Sequence, residues 1–87
     1  MADILFLEDD PDFRNLIVAR LERAGHVVQA VATVAEGRSY LSQMADLALI
    51  IADGVLEQHG DGAAFLQEAR QGGFDGSTVH VSAHLPT

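Results

Sequence analysis

Two short apolar runs in this chain each end directly on carboxylates. Residues 4–7 run into Glu8 and Asp9, and residues 47–52 run into Asp53. Continuous apolar runs of this length are typical of parallel strands that are buried on both faces, and open α/β sheets bind ligands beyond the carboxyl ends of such strands. If the two strands are neighbours, three acids meet at one edge of the sheet.

Three neighbouring carboxylates restrict what this edge can bind. Like charges in contact repel by roughly 4 kcal/mol per pair at an effective dielectric constant near 20, so a cluster of acids implies a cation. Carboxylate oxygens are preferred by hard cations, of which Mg²⁺ is the first candidate. We therefore predict an Mg²⁺ site that uses Glu8, Asp9 and Asp53.

Length and composition limit the remaining possibilities. The chain has 87 residues, 48% of them hydrophobic, which predicts one core and a single domain over residues 1–87. It contains no cysteine, which removes disulfides and zinc–thiolate sites and makes a reducing cytoplasm the simplest location. No apolar stretch approaches the roughly 20 residues of a membrane span, so no membrane partner is expected.

The charge balance argues against nucleic acid as a partner. Thirteen acidic residues stand against five arginines, there is no lysine, and the net charge is −8. Contact with a phosphate backbone requires clustered basic groups. We therefore expect that this domain does not bind nucleic acid.

Strand-like and helix-like periods alternate along the chain without a linker or a repeat. Asp10 can cap a helix whose first turn holds Pro11, and Gly25 stands where that helix would end. Thr33 and Glu36 form a capping box for a second helix. The pattern predicts β1 over residues 4–7, α1 over 11–24, β2 over 27–31, α2 over 34–44, β3 over 47–53, α3 over 63–70 and β4 over 78–81.

Two strand orders fit this α/β sequence of elements with right-handed crossovers. Half of a Rossmann fold would require a glycine-rich turn after β1, whereas the turn at residues 8–11 is acidic and would repel a pyrophosphate. The acidic turn favours a flavodoxin-like parallel sheet of order 2-1-3-4, which places β1 beside β3 at the switch point.

The sequence contains four motifs of interest, at residues 4–11, residues 49–53, Asp61-Gly62 and residues 79–83. In this order and spacing they resemble the receiver domain of bacterial two-component response regulators. The resemblance covers residues 1 to about 84 and the first seven elements, β1-α1-β2-α2-β3-α3-β4. It implies a receiver that is truncated after the fourth strand and lacks the final helix, strand and helix (α4-β5-α5).

The resemblance implies a role for each of five residues. Asp53 corresponds to the phosphoacceptor, and Glu8 and Asp9 correspond to the acidic pair that holds Mg²⁺ together with it. The backbone carbonyl of Val55 would also bind the metal. Ser82 would donate a hydrogen bond to the phosphoryl group and move inward on activation.

The implied activity is acceptance of a phosphoryl group from a histidine kinase or a phosphotransfer protein, with Mg²⁺ neutralising charge on the transferred oxygens. Such a chain is a phosphoacceptor in signal transduction and not a turnover enzyme. Phosphorylation would shift a conformational equilibrium that exists beforehand.

The chain also departs from the receiver pattern. It has no lysine to pair with the phosphoryl group, no proline between Asp53 and Asp61, and no fifth strand to carry a switch aromatic residue. These departures leave a second interpretation open, in which the chain is a receiver-like interaction or dimerisation module that is not phosphorylated. The retained acids and Ser82 favour the phosphoacceptor.

The acids that follow β1 also permit a comparison with a different class of phosphotransferase. Residues 10–12 superficially resemble the Asp-x-Asp motif of haloacid-dehalogenase-like enzymes. That motif begins directly after its strand, continues with threonine or valine where Arg14 stands here, and requires a lysine. The sequence therefore does not favour this class.

An incomplete receiver order would leave β4 as an open edge and an apolar strip along α1. Unpaired edges and contiguous apolar patches attract partners. We therefore expect a two-fold homodimer, formed by antiparallel pairing of β4 with its copy, by exchange of elements, or through the exposed apolar face.

Overall fold

Residues 2–53 and 62–81 are described in the computed structural model of the chain. The strands are β1 (Asp3–Leu7), β2 (Val27–Val31), β3 (Leu47–Asp53) and β4 (Ser77–Val81), and the helices are α1 (Pro11–Arg23), α2 (Val34–Leu41) and α3 (Gly62–Gln71). The predicted order of elements is confirmed. No helix in this described part is long and apolar enough to cross a membrane.

The described strands form one parallel sheet in the order β2-β1-β3-β4. This confirms the flavodoxin-like topology that was predicted from the acidic turn. At the carboxyl end of β1, Leu7 pairs with Val31 of β2 on one side and with Ala52 of β3 on the other. The two strands that end on carboxylates are therefore the two central strands of the sheet.

The ends of the helices follow from local side-chain chemistry. The Oδ1 atom of Asp10 accepts hydrogen bonds from the backbone N–H groups of Asp12 (3.0 Å) and Phe13 (3.4 Å), which caps α1 as predicted. At α2, the Thr33 hydroxyl accepts from the Glu36 N–H at 3.1 Å. The Glu36 carboxylate reaches back to the N–H of Ala32, so the capping box closes one residue earlier than in its usual form.

Helix α2 is shorter than the sequence predicted. It ends at Leu41, and the N–H groups of Gln43 and Met44 both donate to the carbonyl of Tyr40 at 3.0 Å. These bonds form a turn that leads the chain towards β3, so the apolar spacing that continues to Met44 does not extend the helix. The prediction of α2 to residue 44 was wrong for this reason.

The main core lies between the sheet and the pair α2 and α3. Its buried members are Leu5, Leu7, Val31, Val34, Ile50, Ala52, Phe65, Leu66 and Ala69. Gly37 allows α2 to approach this core closely, because a Cβ atom there would lie 3.1 Å from Leu7 Cδ2 and 3.2 Å from Phe65 Cζ. The glycine that lowers the helix propensity of α2 therefore has a packing role.

The opposite face of the sheet is covered less completely. Ile4 and Phe6 alternate with the core residues of β1 and are buried on this face. Helix α1, however, has no buried residue, and Phe13 is 40% exposed. At the far side of the sheet, Val79 of β4 is 43% exposed. An apolar surface therefore remains in contact with solvent on α1 and on β4.

An ion pair joins α2 to α3 at the surface. Arg38 Nε lies 2.6 Å from Glu68 Oε2 and Arg38 Nη2 lies 3.0 Å from Glu68 Oε1. The hydrogen bond from Arg38 lowers the pKa of the Glu68 carboxyl, and the same contact raises the pKa of Arg38. Both groups are solvent-exposed, so this pair adds little to the free energy of unfolding.

Candidate functional site

The parallel register brings the two acidic strand ends together. The last registered pair of β1 and β3 is Leu7 with Ala52, so the next positions along these strands are Glu8 and Asp53. Neighbouring strands lie about 4.8 Å apart. On the other side, Asp53 is in register with Val81, the last residue of β4. The strands β1, β3 and β4 therefore end at the same edge of the sheet. We call this edge, with Glu8, Asp9 and Asp53, the acidic edge.

Glu8 is buried, with 2% of its surface exposed. Its N–H donates to the carbonyl of Val31 at 3.0 Å, and its Oε2 accepts from the N–H of Asp10 at 3.2 Å. Burial of a carboxyl group costs free energy unless hydrogen bonds or a counter-charge compensate it. Glu8 is therefore unusual, because glutamate side chains are almost never fully buried unless they are paired.

The three acids of the turn after β1 have different environments. Glu8 is buried, Asp9 is half-buried and Asp10 is exposed. Because the Oδ1 atom of Asp10 is already bonded to two N–H groups of α1, its cap role is confirmed. Glu8 and Asp9 lie between this cap and the end of β1, and their predicted role in holding Mg²⁺ stays a prediction.

Arg14 contacts the acidic edge, and sequence reasoning missed this contact. Its Nη1 atom donates to the backbone carbonyl of Glu8 at 2.9 Å. The sequence held a usable signal, because Arg14 follows the cap of α1 by one helical turn and helical side chains point back towards the N-terminus of their helix. An arginine at this position is therefore directed at the end of β1.

Comparison of the sequence with known proteins gives no match to a protein-family model and no significant match to a curated protein. The structure, in contrast, is similar to solved response regulators. One is the MaeR response regulator bound to beryllium trifluoride, with a TM-score of 0.84 and 25% identity over 99% of this chain and 70% of that chain. The chain has the receiver fold.

Two further structures support the same conclusion. The N-terminal domain of a response regulator/sensory box/GGDEF three-domain protein from Carboxydothermus hydrogenoformans matches with a TM-score of 0.84 and 25% identity, over 98% of this chain and 67% of that chain. A sensor protein from Polaromonas sp. JS666 matches with a TM-score of 0.84 and 28% identity, over 95% of this chain and 66% of that chain. These neighbours support a receiver of two-component signalling.

Part of the predicted receiver site lies outside the described residues. This holds for Val55, for Ser82 and for the side chain of Asp53, so their predicted roles stay predictions. Among the side chains that are described, no group of three or more histidine, cysteine, aspartate or glutamate residues could hold a metal ion. The predicted Mg²⁺ site includes Asp53 and therefore also stays a prediction.

A cavity of about 240 Å³ lies at the other end of the receiver fold. It is bounded by the ends of α2 and α3, the start of β3 and the segment before β4: Leu41, Met44, Ala45, Leu47, Ala69, Gly72, Gly73, Phe74 and Asp75. The seven residues of β3 separate it from the acidic edge by about 20 Å. This cavity is therefore not part of the candidate site.

Proposed function

We propose that this chain is a phosphoacceptor receiver in which Asp53 takes a phosphoryl group from the phosphohistidine of a histidine kinase or a phosphotransfer protein. The supporting observation is the parallel register, which sets the buried Glu8 next to the Asp53 position on the central strands of a receiver fold. In this function the chain is itself modified and does not turn over a substrate. The cytoplasmic location expected from its composition stays a prediction.

The donor chemistry of the acidic edge suits a hard divalent cation. Glu8 and Asp9 carry carboxyl oxygens, and we propose that these, the Asp53 carboxylate and the carbonyl of Val55 hold Mg²⁺. When bound, the ion supplies positive charge that offsets the charge on the phosphoryl oxygens. Binding of the ion would also offset the repulsion among the clustered carboxylates.

The proposed transfer is a single displacement at phosphorus. The P–N bond of the phosphohistidine breaks, and its electron pair returns to the imidazole nitrogen, which then takes a proton from water. A carboxylate oxygen of Asp53 forms the new P–O bond. Ser82 is proposed to donate a hydrogen bond to the transferred group, and the aspartyl phosphate then favours one of two conformations.

Labelling by a small phosphodonor tests this function. We expect acetyl phosphate with Mg²⁺ to label the 87-residue chain slowly and below one phosphoryl group per chain, because the chain has no lysine to stabilise charge in the transition state. Intact-mass measurement over time gives the rate. Asp53→Asn is the control and should take no label. Equal labelling of this variant would contradict the site, and rapid stoichiometric labelling of the unsubstituted chain would contradict the need for a lysine.

The alternative function is a receiver-like interaction module without phosphorylation, and the apolar surface left on α1 and β4 favours it. Beryllium fluoride separates the two functions, because it forms a tetrahedral adduct with the shape of a phosphoryl group. One similar response regulator was solved with beryllium trifluoride bound. A phosphoacceptor should bind it in the presence of Mg²⁺, as seen by ¹⁹F NMR. An interaction module should not.

We also propose a two-fold homodimer through β4, which is an edge strand of the sheet that the described residues form. Residues Ser77–Val81 carry no acidic residue, lysine or arginine, although the chain has a net charge of −8. Lysine and proline commonly protect such edges from pairing. Antiparallel pairing about Val79 would set this residue against its own copy and Thr78 opposite His80 of the copy.

Light scattering coupled to size exclusion measures the expected dimer at tens of micromolar chain concentration. Val79→Lys should give a monomer, because the pairing would bring two ammonium groups together at the two-fold axis. Val27→Lys is the matched control, since Val27 is 51% exposed on the opposite edge strand and should leave the dimer intact. A monomeric unsubstituted chain would contradict the proposal.

A further inference from the structure

The five arginines of this chain are all within the described residues, and four of them lie away from the acidic edge. Arg38 pairs with Glu68 between α2 and α3. Arg20 and Arg23 belong to the last turn of α1. The guanidinium of Arg70 lies 5.7 Å from the centre of an aromatic ring that follows α3. None of these four is at the end of β1.

Arg14 is the fifth arginine, and it occupies the first turns of α1 beside the acidic edge. It is half-buried, and its Nη1 atom donates to the Glu8 carbonyl at 2.9 Å. A hydrogen bond from a charged donor is roughly twice as strong as a neutral one. The contact therefore joins α1, a helix that has no buried residue, to the strand end by a charged hydrogen bond in addition to its packing.

The bond from Arg14 adds to two other hydrogen bonds that Glu8 makes within the described residues. The Glu8 N–H donates to Val31 and the Glu8 carboxyl accepts from the N–H of Asp10. The carbonyl of Glu8 belongs to the peptide that joins it to Asp9, and Arg14 holds this carbonyl. A side chain from α1 thus holds the carbonyl of the peptide that joins Glu8 to Asp9.

We propose that Arg14 is a positioning residue of the acidic edge, which fixes the peptide between Glu8 and Asp9 so that their carboxyl groups are held in place for a divalent cation. This role rests on the proposed function. It gives Arg14 two opposite effects on Mg²⁺ binding: its positive charge repels the ion, and its hydrogen bond pre-organises the ligands. If positioning dominates, loss of the arginine weakens Mg²⁺ binding even though a like charge has been removed.

The sign of the change in Mg²⁺ affinity tests this role. For Arg14→Met, which keeps the apolar stem and removes charge and donors, we expect the Kd for Mg²⁺ to rise about tenfold. Arg14→Lys should stay within about threefold of the unsubstituted chain, because an ammonium group still donates to the carbonyl. Arg20→Met removes the same charge from the far end of α1 and should not raise the Kd. Amide NMR shifts during MgCl₂ titration give each Kd.

The possible results separate this role from the proposed function. An unchanged or lower Kd in Arg14→Met would overturn the positioning role, including when the variant unfolds at a lower temperature, since the contact would then be structural only. If Arg14→Met does not fold, Arg14→Gln takes its place under the same criterion. Failure of the unsubstituted chain to bind Mg²⁺ at millimolar concentration would overturn the proposed function, and the positioning role with it.

Discussion

Replacement of Asp53 by asparagine is expected to lower the Mg²⁺ affinity of this chain by about a hundredfold and to raise its unfolding temperature without metal. The register sets the Asp53 position next to the buried Glu8, and we propose that folding brings their carboxyl groups together at the acidic edge. Repulsion between two carboxylates in contact is roughly 4 kcal/mol at an effective dielectric constant near 20. Relief of even about 1 kcal/mol of it would raise the unfolding temperature by roughly 4–8 °C.

Asp75→Asn is the matched control for this prediction. Asp75 is exposed and precedes β4 at the opposite end of the sheet, and its replacement removes the same charge. We expect its Mg²⁺ affinity to stay within about twofold of the unsubstituted chain, since a charge this distant is largely screened. Titration with MgCl₂ and thermal unfolding without metal provide both measurements. An Asp53→Asn chain with unchanged Mg²⁺ affinity would contradict the metal site.

Truncation of Phe65 to alanine is expected to destabilise the fold by about 3–5 kcal/mol. Phe65 is 1% exposed and lies in the core between the sheet and α3, where its ring also approaches Gly37 of α2. The change removes a large apolar side chain and leaves a cavity that the glycine cannot fill. Since small domains are stable by about 5–15 kcal/mol, much of the stability of this chain would be lost.

Phe13→Ala gives the matched comparison for the core prediction. Phe13 lies on α1 and is 40% exposed, so its truncation should cost less than about 1 kcal/mol. Urea unfolding followed by circular dichroism at low micromolar concentration measures both variants. Equal destabilisation by the two changes would mean that α1 covers the sheet more completely than its exposure indicates.

The sequence by itself determined the elements and their order, because the signals involved are local. Asp10 stands directly before Pro11 and bonds to the first N–H groups of the helix, and Thr33 with Glu36 does the same for α2. The strand order also followed from residues in a short segment, since an acidic turn after β1 disfavours a pyrophosphate-binding fold. Each of these features depends on residues within a few positions of one another.

The tertiary structure alone decided how much each amphipathic face is covered. Helical spacing predicted α1 correctly, yet no residue of α1 is buried, while Phe65 of α3 is almost completely enclosed. Periodicity identifies the apolar side of a helix, but the area that it buries depends on what packs against it. Gly37 illustrates the same limit, because its close approach to Leu7 arises from residues that are distant in sequence.

The acidic edge was predicted partly from the sequence and was partly visible only in the tertiary structure. That Glu8 and Asp53 end apolar runs is visible in the sequence, and their pairing follows from the strand order. The burial of Glu8 and the bond from Arg14 to its carbonyl were not predicted. They depend on how α1 is placed against the end of β1, which residue spacing along the chain does not determine. Residue spacing along the chain specifies which groups reach this edge, and only the packed structure determines how they are held there.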